Sequence, residues 1–182
     1  QGEDRMILAE EKVKEIEEDK KNRPHIFRAQ TGIQGIDDLL GGIRRGHLML
    51  VSGPSGMGKT SLMQTFTRNF LEANYKCVWF TYELGYEEFF EKYKGALVFS
   101  LPRTLQDNRI EWVFEKILEA KAKFGADIIF IDNLDYLRDP RLVRELRNDM
   151  LASYLGGIIQ QIKMFAVAND VAIILHVHIR KS

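Results

Sequence analysis

Cysteine is almost absent from this sequence, which has one cysteine, Cys77, among 182 residues. A single cysteine cannot form a disulfide within the chain, and no group of cysteine and histidine residues has the spacing of a zinc site. These absences exclude a fold that depends on disulfides or on structural zinc. They make a reducing, intracellular setting the expected one.

Net charge is also absent, because 26 Lys and Arg residues balance 26 Asp and Glu residues. A chain without a basic excess is not a general coat for nucleic acid, so any DNA or RNA contact has to be local. No apolar run approaches the roughly 20 residues that span a bilayer, and the first residues carry charges where a signal peptide needs an apolar core. We therefore expect a soluble protein without membrane contact.

The chain does contain 45% hydrophobic residues, which suffices for one well-buried core but not for two large domains in 182 residues. From Phe27 onward, short apolar runs alternate with amphipathic stretches, as is typical of β/α units around a mainly parallel sheet. The predicted strands are 48–52, 77–82, 126–131 and 171–177, with a weaker candidate at 97–101. The predicted helices are 59–74, 86–94, 109–124 and roughly 142–169.

The first 22 residues are crowded with Glu, Lys and Asp around a thin apolar set, namely Ile7, Leu8, Val13 and Ile16. This pattern predicts an exposed, charged helix that ends before Pro24. Either the helix is simply solvated, or its narrow apolar stripe docks on a neighbouring subunit. The predicted division is therefore a charged linker helix at 1–24 and one α/β domain at 25–182.

One segment fits the phosphate-loop pattern G-x-x-x-x-G-K-[ST], namely Gly53-Pro54-Ser55-Gly56-Met57-Gly58-Lys59-Thr60. It follows an apolar strand and opens a predicted helix, the context in which glycines turn backbone N–H groups toward phosphate oxygens. Lys59 would then reach the β and γ phosphates, and the Thr60 hydroxyl would ligate Mg²⁺. We include Ser61 in the predicted ATP site. The weaker alternative is a glycine-rich turn that binds nothing.

A second strand end carries a carboxylate, because the apolar run after Asp127 closes in Asp132. This is a Walker B pattern, in which the aspartate holds Mg²⁺ directly or through a water molecule beside the Thr60 hydroxyl. The alternative is an ordinary strand end with an exposed aspartate. Asp135, three residues on, is expected to be a turn or helix-capping residue.

Glu83 also follows an apolar strand, so its carboxylate should emerge at the same edge of the sheet as the phosphate loop. A carboxylate there could polarise the water that attacks the γ phosphate. The rival interpretation is a helix N-cap carboxylate ahead of residues 86–88. Position in the sequence leaves both open.

Two histidines, His176 and His178, end the last apolar run, and strand alternation puts both on one face. Without a third ligand they are poor evidence for a metal site. A histidine at a strand end beside a nucleotide could instead donate a hydrogen bond to the γ phosphate. His176 is expected to be partly buried or structural.

Together these residues resemble the RecA-like ATPase domain of the DnaB family of replicative helicases, to which the mitochondrial Twinkle helicase and phage primase-helicases are related. The resemblance runs from about Phe27 to Ser182. Its lead-in, shared with RadA and KaiC proteins, consists of Thr31-Gly32-Ile33, Ile36-Asp37, Leu40-Gly41-Gly42 and Gly46. Three shorter segments are similar to helicase motifs: Thr81-Tyr82-Glu83-Leu84 to S-L-E-M, Ile131-Asp132-Asn133-Leu134 to I-D-N-L, and His178-Ile179-Arg180-Lys181 to H-P-R-K.

The resemblance implies a RecA-like P-loop NTPase core with a mainly parallel central sheet flanked by helices. It implies that Glu83 is the catalytic base and that His178 is the sensor of the γ phosphate. It also implies a loop within 140–154 that contacts single-stranded DNA in the channel of a hexameric ring, through Arg141, Arg144 and Arg147. The alternative for these arginines is a solvated helix face.

The function implied is a motor domain of a DnaB-like helicase that uses ATP and Mg²⁺ to move on single-stranded DNA and unwind duplexes. Implied partners are other copies of the chain, in a hexamer, and primase or other replisome proteins. The implied location is the cytoplasm in bacteria or phage infection, and the mitochondrial matrix for a Twinkle orthologue. The alternatives are an ATP-switched recombination or regulatory ATPase of the RadA or KaiC kind and a degenerate paralogue, which the intact motifs disfavour.

Two departures from the family accompany this resemblance. The stretch from Glu83 to Leu97 is short, and the chain stops at Ser182, before the segment that carries the arginine finger in these helicases. We therefore expect a domain truncated at its C-terminal end. Because an arginine finger can contribute about 10³–10⁵ in turnover, this chain alone is expected to bind ATP but hydrolyse it weakly.

Overall fold

The computed structural model describes residues 6–22, 28–53, 58–81, 91, 93, 97–99 and 109–178. Within these residues lie the strands β1 (Leu48–Gly53), β2 (Cys77–Thr81), β3 (Leu97–Phe99), β4 (Ile128–Asp132) and β5 (Ala172–His178). They form one five-stranded sheet in the order β1-β5-β4-β2-β3. All four strand pairs are parallel. The predicted α/β class with a mainly parallel sheet is therefore confirmed.

The helices in the described part of the chain are α1 (Ala9–Asn22), α2 (Gln34–Leu40), α3 (Lys59–Glu72), α4 (Arg109–Phe124), α5 (Pro140–Glu145) and α6 (Asn148–Asn169). A short 3-10 helix spans Leu134–Tyr136. α3 and α4 agree with the predicted helices, whereas the prediction at 86–94 lies almost wholly outside the described residues. α2 was not predicted, because it has only seven residues and begins without a side-chain cap.

The prediction of one helix over roughly 142–169 was wrong, because the chain breaks there into α5 and α6. α5 begins early, since Asp139 Oδ1 accepts a hydrogen bond from the Arg141 backbone N–H at 2.8 Å. Leu146 and Arg147 are extended, with ψ of 135° and 160°. A new helix then starts with Asp149 in its first turn, where a carboxylate interacts favourably with the helix dipole.

The apolar stripe of the N-terminal segment is exposed: Leu8, just before α1, and Val13 and Ile16 on α1 are 70%, 52% and 42% exposed. This exposure is compatible with both interpretations of the segment, a solvated helix or a docking helix. The division into a linker helix at 1–24 and a domain at 25–182 stays a prediction.

The inner strands β2, β4 and β5 are buried on both faces, which explains why they read as continuous apolar runs. Successive side chains of a strand point to opposite faces, so each inner strand contributes to two cores. Residues of one core pack against α4 and α6; they include Val78, Phe80, Ile129, Ile131, Ile173 and Leu175 from the sheet. Residues of the other core pack against α3; they include Cys77, Trp79, Ile128, Phe130 and Ile174.

Trp79 fixes α3 against the sheet. Its indole Nε1–H donates to the Thr67 hydroxyl at 2.8 Å, and that hydroxyl donates to the Met63 carbonyl at 2.9 Å. The Trp79 ring stacks on Phe130 with centroids 5.0 Å apart. Because α3 begins directly after the phosphate loop, this packing positions the N-terminus of the helix at the end of β1.

α6 has 22 residues and is long and apolar enough, by length and composition, to cross a membrane. Ile158, Ile162 and Ala166 on this helix are buried in the core that covers one face of the sheet. Helices of this composition are common in the cores of soluble proteins. α6 therefore packs against one face of the sheet as part of the α/β fold.

The lead-in to the domain is held by one carboxylate. Asp37 Oδ1 accepts from the Thr31 backbone N–H at 2.7 Å and from its hydroxyl at 2.8 Å, and Oδ2 accepts from the Gly32 N–H at 3.0 Å. The Asn69 amide of α3 donates to the Thr31 carbonyl at 2.7 Å. Gly32 has a φ of 83°, which favours glycine. This part of the motif therefore has a structural role that the sequence did not indicate.

Replacing Asp37 with alanine is expected to lower the free energy of unfolding by about 1–3 kcal/mol, since buried Thr31 donors would lose their acceptor. Urea denaturation of the two proteins measures the difference. Asp38→Ala is the matched control, because Asp38 lies one residue on and is exposed. Equal losses in both variants would contradict the assigned role of Asp37.

Candidate nucleotide-binding site

The described part of the phosphate loop consists of its two ends. Gly53 ends β1, and Gly58 precedes α3 with a φ of 78°, a left-handed conformation that favours glycine. Pro54, Ser55, Gly56 and Met57 lie outside the described residues. The strand before this motif and the helix after it are therefore both present as predicted.

Lys59 is the first residue of α3 and is 8% exposed. Its Nζ donates a hydrogen bond to the Gly53 carbonyl at 2.8 Å, so the ammonium group lies against the end of β1. Thr60 is half-buried and Ser61 exposed in the first turn of the same helix. The lysine and both hydroxyls are thus at a helix N-terminus, where backbone N–H groups attract anions.

Four neighbouring strands end at one edge of the sheet, which we call the carboxyl edge. In the register of the sheet, Gly53 lies opposite His178, and Asp132 lies opposite both His176 and Thr81. The phosphate-loop end, the Walker B aspartate and both histidines are therefore brought together. Glu83 lies outside the described residues.

Asp132 and His176 form a buried pair. The His176 ring Nδ1 and Asp132 Oδ1 are 2.6 Å apart, and the two side chains are 2% and 0% exposed. Asp132 Oδ2 is also buried and has no hydrogen-bond partner among the described residues. The alternative of an exposed strand-end aspartate is wrong, because β4 lies between β2 and β5 in the sheet. His176 is buried, as expected.

Asn133 determines which nitrogen of His178 carries the proton. Asn133 Oδ1 accepts from the Asp135 backbone N–H at 2.9 Å, which fixes the orientation of the amide. The amide Nδ2 therefore faces His178 Nε2, at 2.9 Å, and donates to it. In the neutral ring the proton is then on Nδ1. Of the two roles predicted for Asp135, the turn is confirmed, because Asp135 lies within the one-turn 3-10 helix, whereas the cap of that helix is Asn133.

Among the described residues, no group of three His, Cys, Asp or Glu side chains is arranged to hold a metal ion. Magnesium bound with a nucleotide needs only one or two protein ligands, because phosphate oxygens and water complete its coordination. The buried, unpartnered Oδ2 of Asp132 is a ligand of the type that Mg²⁺ or its bound water prefers. Asp132 and the Thr60 hydroxyl therefore fit the predicted magnesium site.

The three arginines predicted to contact DNA are all exposed. Arg141 and Arg144 lie on α5, and Arg147 lies in the break before α6. The exposure of all three agrees with the alternative of a solvated surface, although they do not share one continuous helix. DNA contact by these residues stays a prediction.

An open groove of about 400 Å³ runs along α3 and is lined by Ser61, Gln64, Thr65, Arg68 and Tyr93. The Tyr93 hydroxyl donates to the Gln64 carbonyl at 3.2 Å. Burial raises the pKa of Tyr93, so the hydroxyl stays protonated near neutral pH. Ser61 is the one predicted site residue in this groove.

Fold and site define an α/β domain in which the predicted phosphate-loop segment links β1 to α3 at the carboxyl edge of a parallel sheet. A family model described as "ATPase: KaiC" matches residues 29–98, from the lead-in to β3. A comparison with curated protein sequences finds no match.

The chain is also similar to the solved structure of a DnaB-like replicative helicase described with its interactions with primase, with a TM-score of 0.75 and 17% sequence identity. The match covers 100% of this chain and 50% of the helicase chain, so this chain spans about half the length of that protein. The predicted RecA-like fold is confirmed: the chain has the architecture seen in a DnaB-like helicase. Because 496 solved chains match, the fold alone does not specify the activity.

Proposed function

We propose that this chain is the ATP-binding and ATP-hydrolysing motor domain of a DnaB-like replicative helicase. The observation that carries the proposal is the convergence of Lys59, Asp132 and His178 at one edge of a RecA-like sheet. The similarity over the whole chain to a DnaB-like helicase supports it.

In this proposal each residue has a separate task. Lys59 and the loop N–H groups bind the β and γ phosphates, and the groove along α3 accommodates the nucleoside. Thr60 and Asp132 hold Mg²⁺, which neutralises phosphate charge when bound. Glu83 orients the attacking water and accepts its proton. His178 donates from Nδ1 to the γ phosphate and thereby distinguishes the nucleotide states.

The proposed partners follow from the same similarity. We propose single-stranded DNA as the track, with Arg141, Arg144 and Arg147 as phosphate contacts, and a homo-hexamer as the assembly. Primase is a further proposed partner, since the similar helicase is described with it. An intracellular location is proposed, cytoplasmic or, for a Twinkle orthologue, in the mitochondrial matrix.

A second candidate is an ATP-switched regulatory or recombination ATPase without helicase output. The match of residues 29–98 to the KaiC-type ATPase model favours it. In that case ATP would drive assembly, and the exposed arginines of α5 would be solvated or would contact a neighbouring protein.

The two candidates differ in their response to DNA. For the helicase motor, single-stranded DNA is expected to raise the ATPase rate about tenfold or more, in an assembly whose mass with nucleotide is that of six subunits. Phosphate release with and without single-stranded DNA, and light scattering with an ATP analogue, measure these quantities. Hydrolysis that is indifferent to DNA, in a species that is not a ring, would favour the regulatory ATPase.

A further inference from the structure

His176 contacts the carboxylate of Asp132, which is fully buried. Burying an ionised carboxylate is costly unless hydrogen bonds replace its hydration. His176 supplies the partner of Oδ1 at 2.6 Å, while Oδ2 has no partner among the described residues. The two oxygens of Asp132 are therefore in different environments, and His176 is the cause of the difference.

Two contacts fix the ring of His176. The residue lies opposite Asp132 in the register of β4 and β5, so the two side chains emerge side by side. The His178 ring packs on the His176 ring with centroids 4.5 Å apart, and Asn133 in turn holds His178. The imidazole is thus held from two sides with Nδ1 toward the carboxylate.

The position of the His176 ring also has an energetic cost, because it buries a polar atom that has no hydrogen-bond partner among the described residues. This atom is Nε2 of His176. An apolar side chain of similar size would remove this unpaired nitrogen, but it would leave the buried Oδ1 of Asp132 without its donor. The histidine at this position is therefore explained by its hydrogen bond to Asp132.

We propose that His176 is a positioning residue for the Walker B carboxylate: it holds Asp132 by Oδ1 and leaves Oδ2 as the oxygen for Mg²⁺ or its bound water. The inference rests on the proposed role of Asp132 in the magnesium–ATP site. Hydrogen bonds to metal-ligating groups fix their orientation, and their loss commonly lowers metal affinity about 10–100-fold.

The test compares side chains that differ in the donor at one position. His176→Leu removes the donor, and His176→Gln moves its amide one bond further from the backbone. His176→Asn carries an amide N–H at the same bond distance as Nδ1. His47→Leu is the matched control, because His47 precedes β1 at the opposite edge of the sheet. Asp132→Asn reports the role of the carboxylate itself.

The affinity of each variant for Mn²⁺, which serves as a probe for Mg²⁺, is measured by electron paramagnetic resonance. A non-hydrolysable ATP analogue is present in these titrations. Binding of the analogue without metal, and circular dichroism, are recorded for every variant. We expect the Leu and Gln variants to bind Mn²⁺ about 10–100-fold more weakly, with metal-free analogue binding unchanged. The Asn variant should recover most of the affinity, and the His47 control should equal the unmodified protein.

Three outcomes would overturn the inference, and they can be told apart. If Asp132→Asn weakens Mn²⁺ binding but folded His176→Leu and His176→Gln do not, His176 has no positioning role. The same follows if His176→Asn is as weak as the Leu variant. If Asp132→Asn itself binds Mn²⁺ normally, the assignment of Asp132 in the proposed function fails, and the inference fails with it.

Discussion

Glu83→Gln is expected to slow ATP hydrolysis by about 10²–10⁴-fold and to leave the affinity for ATP unchanged. Glutamine preserves the size of the side chain but cannot accept a proton from the attacking water. The expectation depends on the position of the strand before it, since Thr81 ends β2 directly opposite Asp132. Thr81 thus lies at the carboxyl edge, where the phosphates would lie, and Glu83 follows it by two residues in the sequence.

Steady-state phosphate release gives the turnover, and titration with a fluorescent ATP analogue gives the affinity. Glu72→Gln is the control, because Glu72 is exposed at the C-terminal end of α3, away from the phosphate loop. If the Glu83 variant turns over at the rate of the unmodified protein, Glu83 is not the base. A capping carboxylate would then be the remaining interpretation of this residue.

Lys59→Ala is expected to weaken ATP binding by about 10–100-fold. Each hydrogen bond from a charged donor contributes about 1.5–3 kcal/mol, and 1.4 kcal/mol corresponds to a factor of ten in affinity. The ammonium group is already at the site, because it donates to the Gly53 carbonyl at the end of β1. Binding would transfer this donor to the phosphates without a large movement of α3.

Equilibrium titration with the same fluorescent analogue measures the effect of Lys59→Ala. Lys76→Ala is the control, since Lys76 is exposed just before β2, at the opposite edge of the sheet, and removes the same charge. Undiminished affinity in a folded Lys59 variant would contradict the assignment of the phosphate loop. Equal weakening in both variants would indicate an effect of net charge alone.

Much of the fold was predictable because the inner strands are buried on both faces. Apolar runs such as 126–131 and 171–177 stand out in the sequence for this reason, and β4 and β5 fall within or beside them. The phosphate loop was predictable from its spacing together with the strand before it. Both signals are local, so they need no knowledge of which strands are neighbours.

The remaining features depend on contacts between distant segments. Asp132 and His176 are 44 residues apart and meet because β4 and β5 pair in one particular register. The roles of Asn133 and Asp37 likewise follow from the groups that their side chains contact, which residue type alone does not specify. Strand alternation did indicate that His176 and His178 share a face of their strand. This was the one signal in the sequence that pointed to the contact between His176 and Asp132.

Binding of Mg²⁺ and ATP at the carboxyl edge is tested most directly by calorimetric titration of the unmodified chain with a non-hydrolysable ATP analogue, with and without Mg²⁺. One saturable site per chain is expected, with binding about tenfold or more tighter when Mg²⁺ is present. Absence of saturable binding, or binding that is indifferent to Mg²⁺, would contradict the assignment of Lys59, Thr60 and Asp132 to one site.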